Sequence, residues 1–187
     1  MENLKNQFLI AMPGFIDPFF KQSVVYVCEH NDEGAMGLVV NMPVELTIDN
    51  LLTQINMMDA EQDLKELAGH QVFQGGPVAQ EHGFVLHTPQ EGFSSSLALS
   101  SQLMITTSKD ILTTLGTAKQ PEHYLLTLGY AGWSTGQLEQ EIADNAWLNI
   151  PATAEIIFNT PPHQRWEAAT RQLGFEPWQL TADIGHA

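Results

Sequence analysis

One stretch, residues 125–147, constrains the fold more than any other part of the chain. Its sequence, LLTLGYAGWSTGQLEQEIADNAW, begins as an apolar run, breaks at glycines and restarts with helical spacing. Leu138 and Ile142 lie four residues apart and so fall on one stripe of a helix. Ser134 and Gln137 have the spacing of a capping box, so we expect the helix to begin there. The stretch therefore predicts a buried strand, a glycine-rich corner that carries a tryptophan, and an acidic amphipathic helix.

Short strands and a few helices, without regular alternation, account for the rest of the chain. Strands are predicted over residues 8–12, 23–29, 35–40, 71–74, 83–87, 97–106 (one strand or a hairpin), 147–150 and 155–158. Helices are predicted to begin near Thr47, Ser108, Ser134 and Pro161, with a polar surface segment over residues 57–69. This order predicts one α+β domain over residues 1–187, with a mixed, strongly curved sheet and about four helices packed on it.

The charge of the chain disfavours several classes of partner. The net charge is −15, and the seven Lys and Arg residues form no cluster in the sequence. Nucleic-acid affinity comes mainly from basic side chains that neutralise phosphates, and an acidic field repels a polyanion at range. Anionic membrane surfaces are disfavoured for the same reason. We therefore expect no direct nucleic-acid binding and no membrane binding.

The cellular compartment is indicated by cysteine use and by hydropathy. Cys28 is the only cysteine, so an internal disulfide is excluded. The N-terminal apolar stretch over residues 8–12 is too short for the hydrophobic region of a signal peptide. No apolar run has the length of a membrane span. We expect a cytoplasmic protein.

Reactive side chains lie together at Cys28, Glu29 and His30. Alternate side chains of a strand share a face, so Cys28 and His30 point one way and Glu29 the other. No cation neighbours Cys28 to lower its pKa, and we interpret it as a core cysteine. One hypothesis is nevertheless a hydrolase-type enzyme, in which Glu29 or Glu141 is the general base and His30 its partner.

Binding of metals or phosphate is weakly supported. The seven histidines do not show the spacings of metal sites, and we predict neither a metal nor a cofactor. Gly75, Gly76 and Pro77 could form an anion-binding nest of backbone N–H groups. Pro77, however, has no N–H, and no helix follows at once, so a tight turn is the preferred interpretation.

One edge of the predicted helix over residues 134–146 is polar. Gln137, Glu141 and Asn145 recur every four residues beside the apolar stripe. A carboxylate at such a boundary is half-buried and needs partners. Either these residues form a structural network that fixes the helix to the glycine-rich corner, or they face a groove with Trp133 as its wall.

Three long, ordered motifs and a weaker fourth carry a resemblance to a known family. They are SVVYVCEHNDEGAMGLVVN at residues 23–41, GGPVAQEHGFVLHTP at 75–89, GYAGWSTGQLEQEIADNAW at 129–147 and WEAATRQLG at 166–174. The chain closely resembles the bacterial AlgH/YqgE family over nearly its whole length. The resemblance implies an α+β domain with a coiled, branched sheet, in a cytosolic protein whose molecular activity is not established. The family carries the label of transcriptional regulator through an association with alginate control, and the charge indicates that any such effect is indirect.

Our leading hypothesis is a non-enzymatic interaction or regulatory module that binds a protein or a small molecule in a groove beside the 134–146 helix. The motivation is that the motifs concentrate turn glycines and polar residues without a complete catalytic set. The enzyme described above and a direct DNA-binding regulator are the alternatives. The expected border of the groove consists of His30, Asn41, Gly75, Gly76, Pro77, Trp133, Gln137, Glu141 and Asn145.

Overall fold

Ten strands and four α-helices make up the fold in residues 2–15, 17–176 and 179, the part of the chain that the computed structural model describes. The strands are β1 (Gln7–Ala11), β2 (Val24–Asn31), β3 (Gly34–Val39), β4 (Pro43–Thr47), β5 (Gln71–Gln74), β6 (Val78–His87), β7 (Ser96–Ala98), β8 (Met104–Thr106), β9 (Tyr124–Ser134) and β10 (Trp147–Pro151). The α-helices are α1 (Ile48–Gln54), α2 (Leu64–Ala68), α3 (Gln137–Ala143) and α4 (Arg165–Gln172).

The sheet branches at β9, its longest strand. Near the start of β9, Thr127 pairs with Phe73 of β5 in parallel and with Phe84 of β6 antiparallel, so both edges of the strand are occupied. Near its end, β9 pairs with β3, where Ala35 lies opposite Trp133. The main path of the sheet runs β10-β1-β2-β3-β9-β6-β8-β7, and β4 and β5 form the branch. The predicted α+β class and the mixed, strongly curved and branched sheet are confirmed.

A glycine in the middle of β9 lies where the strand changes partners. Gly129 has φ of +76°, a conformation that residues with a Cβ rarely adopt. A Cβ added at Gly129 would lie 2.4 Å from the carbonyl oxygen of Gly76. The backbones of these two residues therefore pack directly against each other, which fixes the 75–77 turn on the branch point of the sheet.

Three clusters of buried side chains surround the curved sheet. The cluster that matters for the site lies between the sheet and α3, where Trp133, Leu138 and Trp147 are buried together. A second cluster packs α4 against the sheet through Trp166 and Ala169. The third is covered by α1 and α2. Because side chains of β1, β2 and β3 alternate between the first two clusters, both faces of these strands carry buried apolar side chains, as is typical of strands covered on both sides.

Sequence patterns predicted most elements, but several segments differ from expectation, among them β4, for which no strand was predicted. Residues 155–158 were expected to form a strand and lie instead in a π-helical turn, Glu155–Asn159, because a short apolar run does not distinguish the two. The helix expected after Ser108 is only a 3₁₀ turn, Lys109–Ile111. The segment 57–69 is not a plain surface loop, because it contains α2, whose Leu67 is buried.

The start of α3 shows how the local sequence specifies the corner beside the site. Gln137 Oε1 accepts hydrogen bonds from the N–H and the hydroxyl of Ser134, at 3.0 and 3.3 Å. This is half of the predicted capping box. The helix itself begins three residues later than Ser134, after Gly136, whose φ of +75° turns the chain. Gln137 thus ties the end of β9 to α3.

Candidate functional site

A cavity of about 850 Å³ lies between α3, the end of β9 and the loop that follows β1. We call it the Trp133 groove. It is lined by Gly14, Phe15, Asp17, Pro18, Phe20, Gly132, Trp133, Gln137, Glu141, Asp144, Asn145 and Ala146. Its volume is within the usual range of ligand pockets, about 300–1,000 Å³.

Glu141 is the centre of the hydrogen bonding in the groove. Its Oε2 accepts the indole N–H of Trp133 at 2.7 Å and that of Trp147 at 2.8 Å. Its Oε1 accepts a hydrogen bond from the side-chain Nε2 of Gln137 at 3.0 Å. Both indoles are buried, so the carboxylate satisfies two donors that burial would otherwise leave unpaired. The network fixes the orientation of Trp133 and of α3.

Aromatic rings from two parts of the chain form the apolar wall. The ring centroid of Phe15 lies 4.8 Å from that of Trp147, and the centroid of Phe20 lies 5.4 Å from it. The Trp147 ring is in turn perpendicular to that of Trp133, at 6.1 Å. The Phe20–Trp147 and Trp133–Trp147 pairs have the edge-to-face geometry that aromatic rings favour, whereas the Phe15–Trp147 pair is tilted at 48°. These contacts anchor the loop after β1 to β10.

The charge of the groove is negative. Asp17, Glu141 and Asp144 line it, and none of its described lining residues is Lys, Arg or His. Each carboxylate accepts from neutral donors: Asp17 from the N–H of Phe19, and Asp144 from the side-chain amide of Gln140. Within the described residues, no basic nitrogen lies within 4.0 Å of any of the three. An aromatic wall with uncompensated carboxylates suits a cationic group.

Four of the residues expected at the groove line it together, namely Trp133, Gln137, Glu141 and Asn145. Asn145 follows α3 with φ of +57°, a left-handed conformation that Asn tolerates at helix ends. The other expected residues lie elsewhere. Of the residues expected around the groove from the sequence, only those on or next to α3 therefore remain in the candidate site.

The 75–77 turn lies outside the groove and its glycines have a packing role. The N–H of Gly75 donates to the carbonyl of Leu128, and the carbonyl of Gly75 accepts from Val39, both at 2.8 Å. Gly76 lies against the backbone of Tyr130. Pro77 is exposed beside them. With its Gly75 N–H already hydrogen-bonded and its glycines buried, the segment is a turn rather than an anion-binding nest.

Asn41 holds a different corner of the structure. Its Oδ1 accepts the N–H of Val24 at 2.9 Å, and its Nδ2 donates to the carbonyl of Gln22 at 2.8 Å. It lines a separate cavity together with Lys21 and Arg171. Asn41 thus joins the end of β3 to the start of β2.

His30 has a partner that the sequence patterns did not indicate. Its Nδ1 accepts the N–H of Leu4 at 3.0 Å, so the ring proton is on Nε2, which donates to Glu139 Oε1 at 2.6 Å. The hydrogen bond from His30 lowers the pKa of Glu139 below its ordinary value. His30 is buried and does not line the Trp133 groove. It ties the N-terminal segment and β2 to α3.

The acid–base pairs considered from the sequence are not formed. Glu29 is exposed and accepts from Asn31, while Glu141 accepts from Gln137 and the two indoles. Neither is the carboxylate that contacts His30. Cys28 is buried, and burial raises the pKa of its thiol to about 12, as expected for a core cysteine. Across the described residues, no three His, Cys, Asp or Glu side chains are placed to hold a metal ion.

Sequence reasoning missed the contribution of the loop after β1. Phe15, Asp17 and Phe20 complete the groove although they are more than a hundred residues from α3 in the chain. A cluster of three phenylalanines within residues 15–20 was a usable signal, because aromatic residues that dense mark a packed loop. Nothing local to it indicated that α3 would be its partner.

Comparison with known proteins identifies the family. A family model described as AlgH-like matches residues 8–178. The chain belongs to the AlgH-like family. The resemblance inferred from the motifs is thereby confirmed. A UPF0301 protein of Idiomarina loihiensis is 52% identical over 187 residues, and one of Pseudoalteromonas translucida is 53% identical over 187 residues; each alignment covers all of both chains.

Solved structures of AlgH-like and related proteins support the same fold. The solution structure of the AlgH protein from Pseudomonas aeruginosa has a TM-score of 0.81 and 45% identity, covering 99% of this chain and 96% of that one. The crystal structure of protein DIP2367 from Corynebacterium diphtheriae has a TM-score of 0.70 at 19% identity, covering 96% and 91%, and shows likeness of fold alone. In the described ranges of this AlgH-like chain, no helix is both long and apolar enough to cross a bilayer.

Proposed function

We propose that this AlgH-like protein is a non-enzymatic, cytoplasmic docking module, and that its Trp133 groove receives a cationic segment of a partner protein. One observation carries the proposal: three carboxylates and three aromatic rings, from two distant parts of the chain, line one cavity whose described residues include no basic side chain. A lysine or arginine side chain would place its charge beside the carboxylates and its stem on the rings.

The carboxylates are available to a cation because their present partners are neutral. Indole, amide and backbone N–H groups orient Glu141, Asp17 and Asp144 without cancelling their charge. A positively charged group that enters the groove therefore gains charge-assisted hydrogen bonds, which are about twice as strong as neutral ones. The net charge of −15 adds long-range attraction for a basic partner.

Docking is favoured over hydrolysis by the position of the one histidine that was considered for catalysis. His30 is buried, bonded at both ring nitrogens and outside the groove, so it is not available to a substrate there. The groove itself offers three carboxylates and the side-chain amides of Gln137 and Asn145, but its described lining residues include no nucleophilic cysteine, serine or lysine. The enzyme considered from the sequence needs His30 in contact with its general base, and the carboxylate that His30 contacts is Glu139, not Glu29 or Glu141.

Direct DNA binding is disfavoured by where the cations lie. Arg171 lies within 3.9 Å of Glu167 and 3.7 Å of Glu176, so its charge is shared with carboxylates. Arg165 is buried, and Lys109 lines a different cavity from Lys21. Duplex binding uses a basic stripe that several Lys and Arg residues share. Any effect on transcription would, on this proposal, be indirect.

The proposal is tested by the fluorescence anisotropy of labelled tetralysine with the full-length protein. Wild type should bind it with an affinity that falls as salt is added, and should not bind labelled tetraglutamate. The double variant Glu141→Gln/Asp144→Asn should bind about tenfold more weakly or worse, since each lost charged hydrogen bond contributes about 1.5–3 kcal/mol. Nα-acetyl-lysine amide, whose side-chain ammonium stays charged, is used as a competitor to test whether a small cation alone is sufficient for binding.

A matched variant separates the groove from the bulk charge. Asp32→Asn/Glu61→Gln also removes two negative charges, at exposed positions that do not line the groove. It should bind tetralysine within about twofold of wild type. Equal weakening by both double variants would mean that tetralysine senses only net charge, and the docking proposal would fail.

A further inference from the structure

A second cavity, of about 330 Å³, differs from the Trp133 groove because its lining includes a buried arginine. We call it the Arg165 cavity. Its floor includes the side chains of Arg165, Phe73 and Ile157, all of them buried, and its rim includes the exposed residues His70 and Glu122. Its volume suits a small organic molecule.

Arg165 is an unusual residue to find there, since it is only 5% exposed. Its Nε donates to the carbonyl of Thr160 at 2.8 Å, and its Nη1 donates to the carbonyl of Val40. The guanidinium carbon lies 5.1 Å from the ring centroid of Phe73. Among the described residues, no carboxylate lies within 4.0 Å of it. A buried charge without a counter-charge is costly unless something compensates it.

The Nη2 nitrogen of Arg165 donates a hydrogen bond to no acceptor among the described residues. Nε and Nη1, in contrast, each donate to a backbone carbonyl. Burial lowers the pKa of Arg165 to about 10, so the group remains charged at neutral pH. A carboxylate in the cavity would supply both the missing acceptor and the missing counter-charge.

Tyr124 supplies a second, independent indication of a ligand. Tyr124 lines the same cavity, and its hydroxyl is buried with no hydrogen-bond partner among the described residues. Burial, together with the charge of Glu66, raises the pKa of Tyr124 to about 12, so the hydroxyl keeps its proton and is a donor at neutral pH. Buried polar atoms without a hydrogen-bond partner are rare in native proteins, so each one needs an explanation, and a bound ligand that pairs with the atom supplies one.

The walls of the cavity indicate the body of that partner. The rings of His123 and Phe158 stack with centroids 5.8 Å apart and an interplanar angle of 19°, and the His70 ring lies 5.4 Å from that of Tyr124. Flat aromatic surfaces of this kind favour a flat ligand. Glu66 and Glu122 also line the cavity, so a dianion such as phosphate would add a second negative charge beside two carboxylates that one arginine cannot offset.

We propose that the Arg165 cavity binds a small, flat aromatic monocarboxylate, whose carboxylate pairs with Arg165 and whose body or substituent accepts the hydroxyl proton of Tyr124. The rival explanation is that Arg165 only joins β3 to the start of α4 through its two carbonyl acceptors. That explanation accounts for Nε and Nη1 but gives no role to the cavity or to the Tyr124 hydroxyl. The proposal is independent of the function proposed for the Trp133 groove.

The test uses 4-hydroxybenzoate as probe, with amide NMR shifts of the full-length protein at about 0.15 M salt. Wild type should show saturable shifts around residues 122–126 and 157–165, with a Kd of about 1 mM or tighter. The neutral isostere 4-hydroxybenzamide should bind at least about tenfold more weakly, because it lacks the charge that pairs with Arg165. Inorganic phosphate should not compete.

Two tyrosine variants form a matched pair. Tyr124→Phe should weaken 4-hydroxybenzoate by about three- to tenfold, the effect of one hydrogen bond, while Tyr130→Phe, outside the cavity, should leave the Kd unchanged. Arg165→Lys should weaken it further, and if that variant does not fold, the tyrosine pair still decides. The proposal is overturned if no shift saturates below about 10 mM, if the amide binds as well as the acid, or if Tyr124→Phe binds like wild type.

Discussion

Trp133 and Trp147, from neighbouring parts of the fold but different strands, donate their indole N–H groups to the same oxygen atom. Both bonds end on Oε2 of Glu141, at 2.7 and 2.8 Å. The two rings stand nearly perpendicular, at 76°. One carboxylate therefore sets the positions of two large buried side chains and, through them, the shape of the Trp133 groove. Structure and binding at this place depend on the same residue.

Replacing Glu141 should destabilise the protein in proportion to the donors left unpaired. Glu141→Ala leaves both indole N–H groups without an acceptor, and we expect the free energy of unfolding to fall by about 2–5 kcal/mol. Glu141→Gln keeps an acceptor for the indoles but places its side-chain NH2 against the NH2 of Gln137, so that two donors face each other. The free energy of unfolding should therefore fall by about 1–2 kcal/mol. Urea denaturation followed by far-UV circular dichroism measures both. Glu61→Gln is the control and should stay within about 0.5 kcal/mol of wild type.

The contact between His30 and Glu139 should make stability depend on acidity. Because the pKa of Glu139 is lowered in the folded state, its ionised form contributes stability that is fully present above the unfolded-state pKa, near 4.5. That contribution is lost as the pH falls through the lower, folded-state pKa. The stability difference between wild type and Glu139→Gln should therefore shrink as the pH falls below about 4.5. A difference that widens below this pH would contradict the assigned contact.

Elements with a strong periodic signal were predictable from the sequence, whereas partners across long sequence separations were not. The apolar run and glycines of residues 125–133 and the stripe of α3 indicated a strand, a corner and a helix, and all three are present. The contact of Phe15 with Trp147 and that of His30 with Glu139 join residues more than a hundred positions apart. No local pattern encodes such pairs, because they follow from how the sheet curves.

The candidate site was predictable on one side only, for the same reason. Helical spacing put Gln137, Glu141 and Asn145 on one edge, and the structure keeps them together at the groove. Gly76 and Asn41 were grouped with them because the motifs looked functional, but turn glycines and short polar residues also serve packing and backbone hydrogen bonding. Sequence alone did not separate these roles.

Gly76 should be far less tolerant of a side chain than Gly83. A Cβ at Gly76 would lie 1.9 Å from the carbonyl carbon of Tyr130, and backbone atoms cannot give way. At Gly83 the nearest atoms are 4.0 Å away. We expect Gly76→Ala to lose more than about 4 kcal/mol or to fail to fold, and Gly83→Ala to stay within about 1 kcal/mol. Thermal denaturation of the two variants beside wild type makes the comparison; similar melting temperatures would contradict the close packing at the branch of the sheet.

Cys28 should be inert in the native protein. Its side chain is buried, and its thiol has a pKa of about 12, so almost no reactive thiolate exists near neutral pH. A chromogenic disulfide reagent should therefore modify it only as fast as the protein unfolds. Full reaction should follow at once in denaturant. Rapid modification under native conditions would show that Cys28 is exposed and reactive, contrary to its place in the core.

The docking account is tested most directly by the indole N–H signals of Trp133 and Trp147 during titration with tetralysine. A cation beside Glu141 should shift both signals in two-dimensional ¹H–¹⁵N spectra, because both protons bond to that carboxylate. The indole signal of Trp166 should stay in place, since its N–H bonds to the carbonyl of Ala11 in another part of the core. Saturable shifts of the Trp133 and Trp147 signals, with the Trp166 signal unmoved, are the predicted result. Binding that leaves both signals unmoved would contradict the assignment of the Trp133 groove.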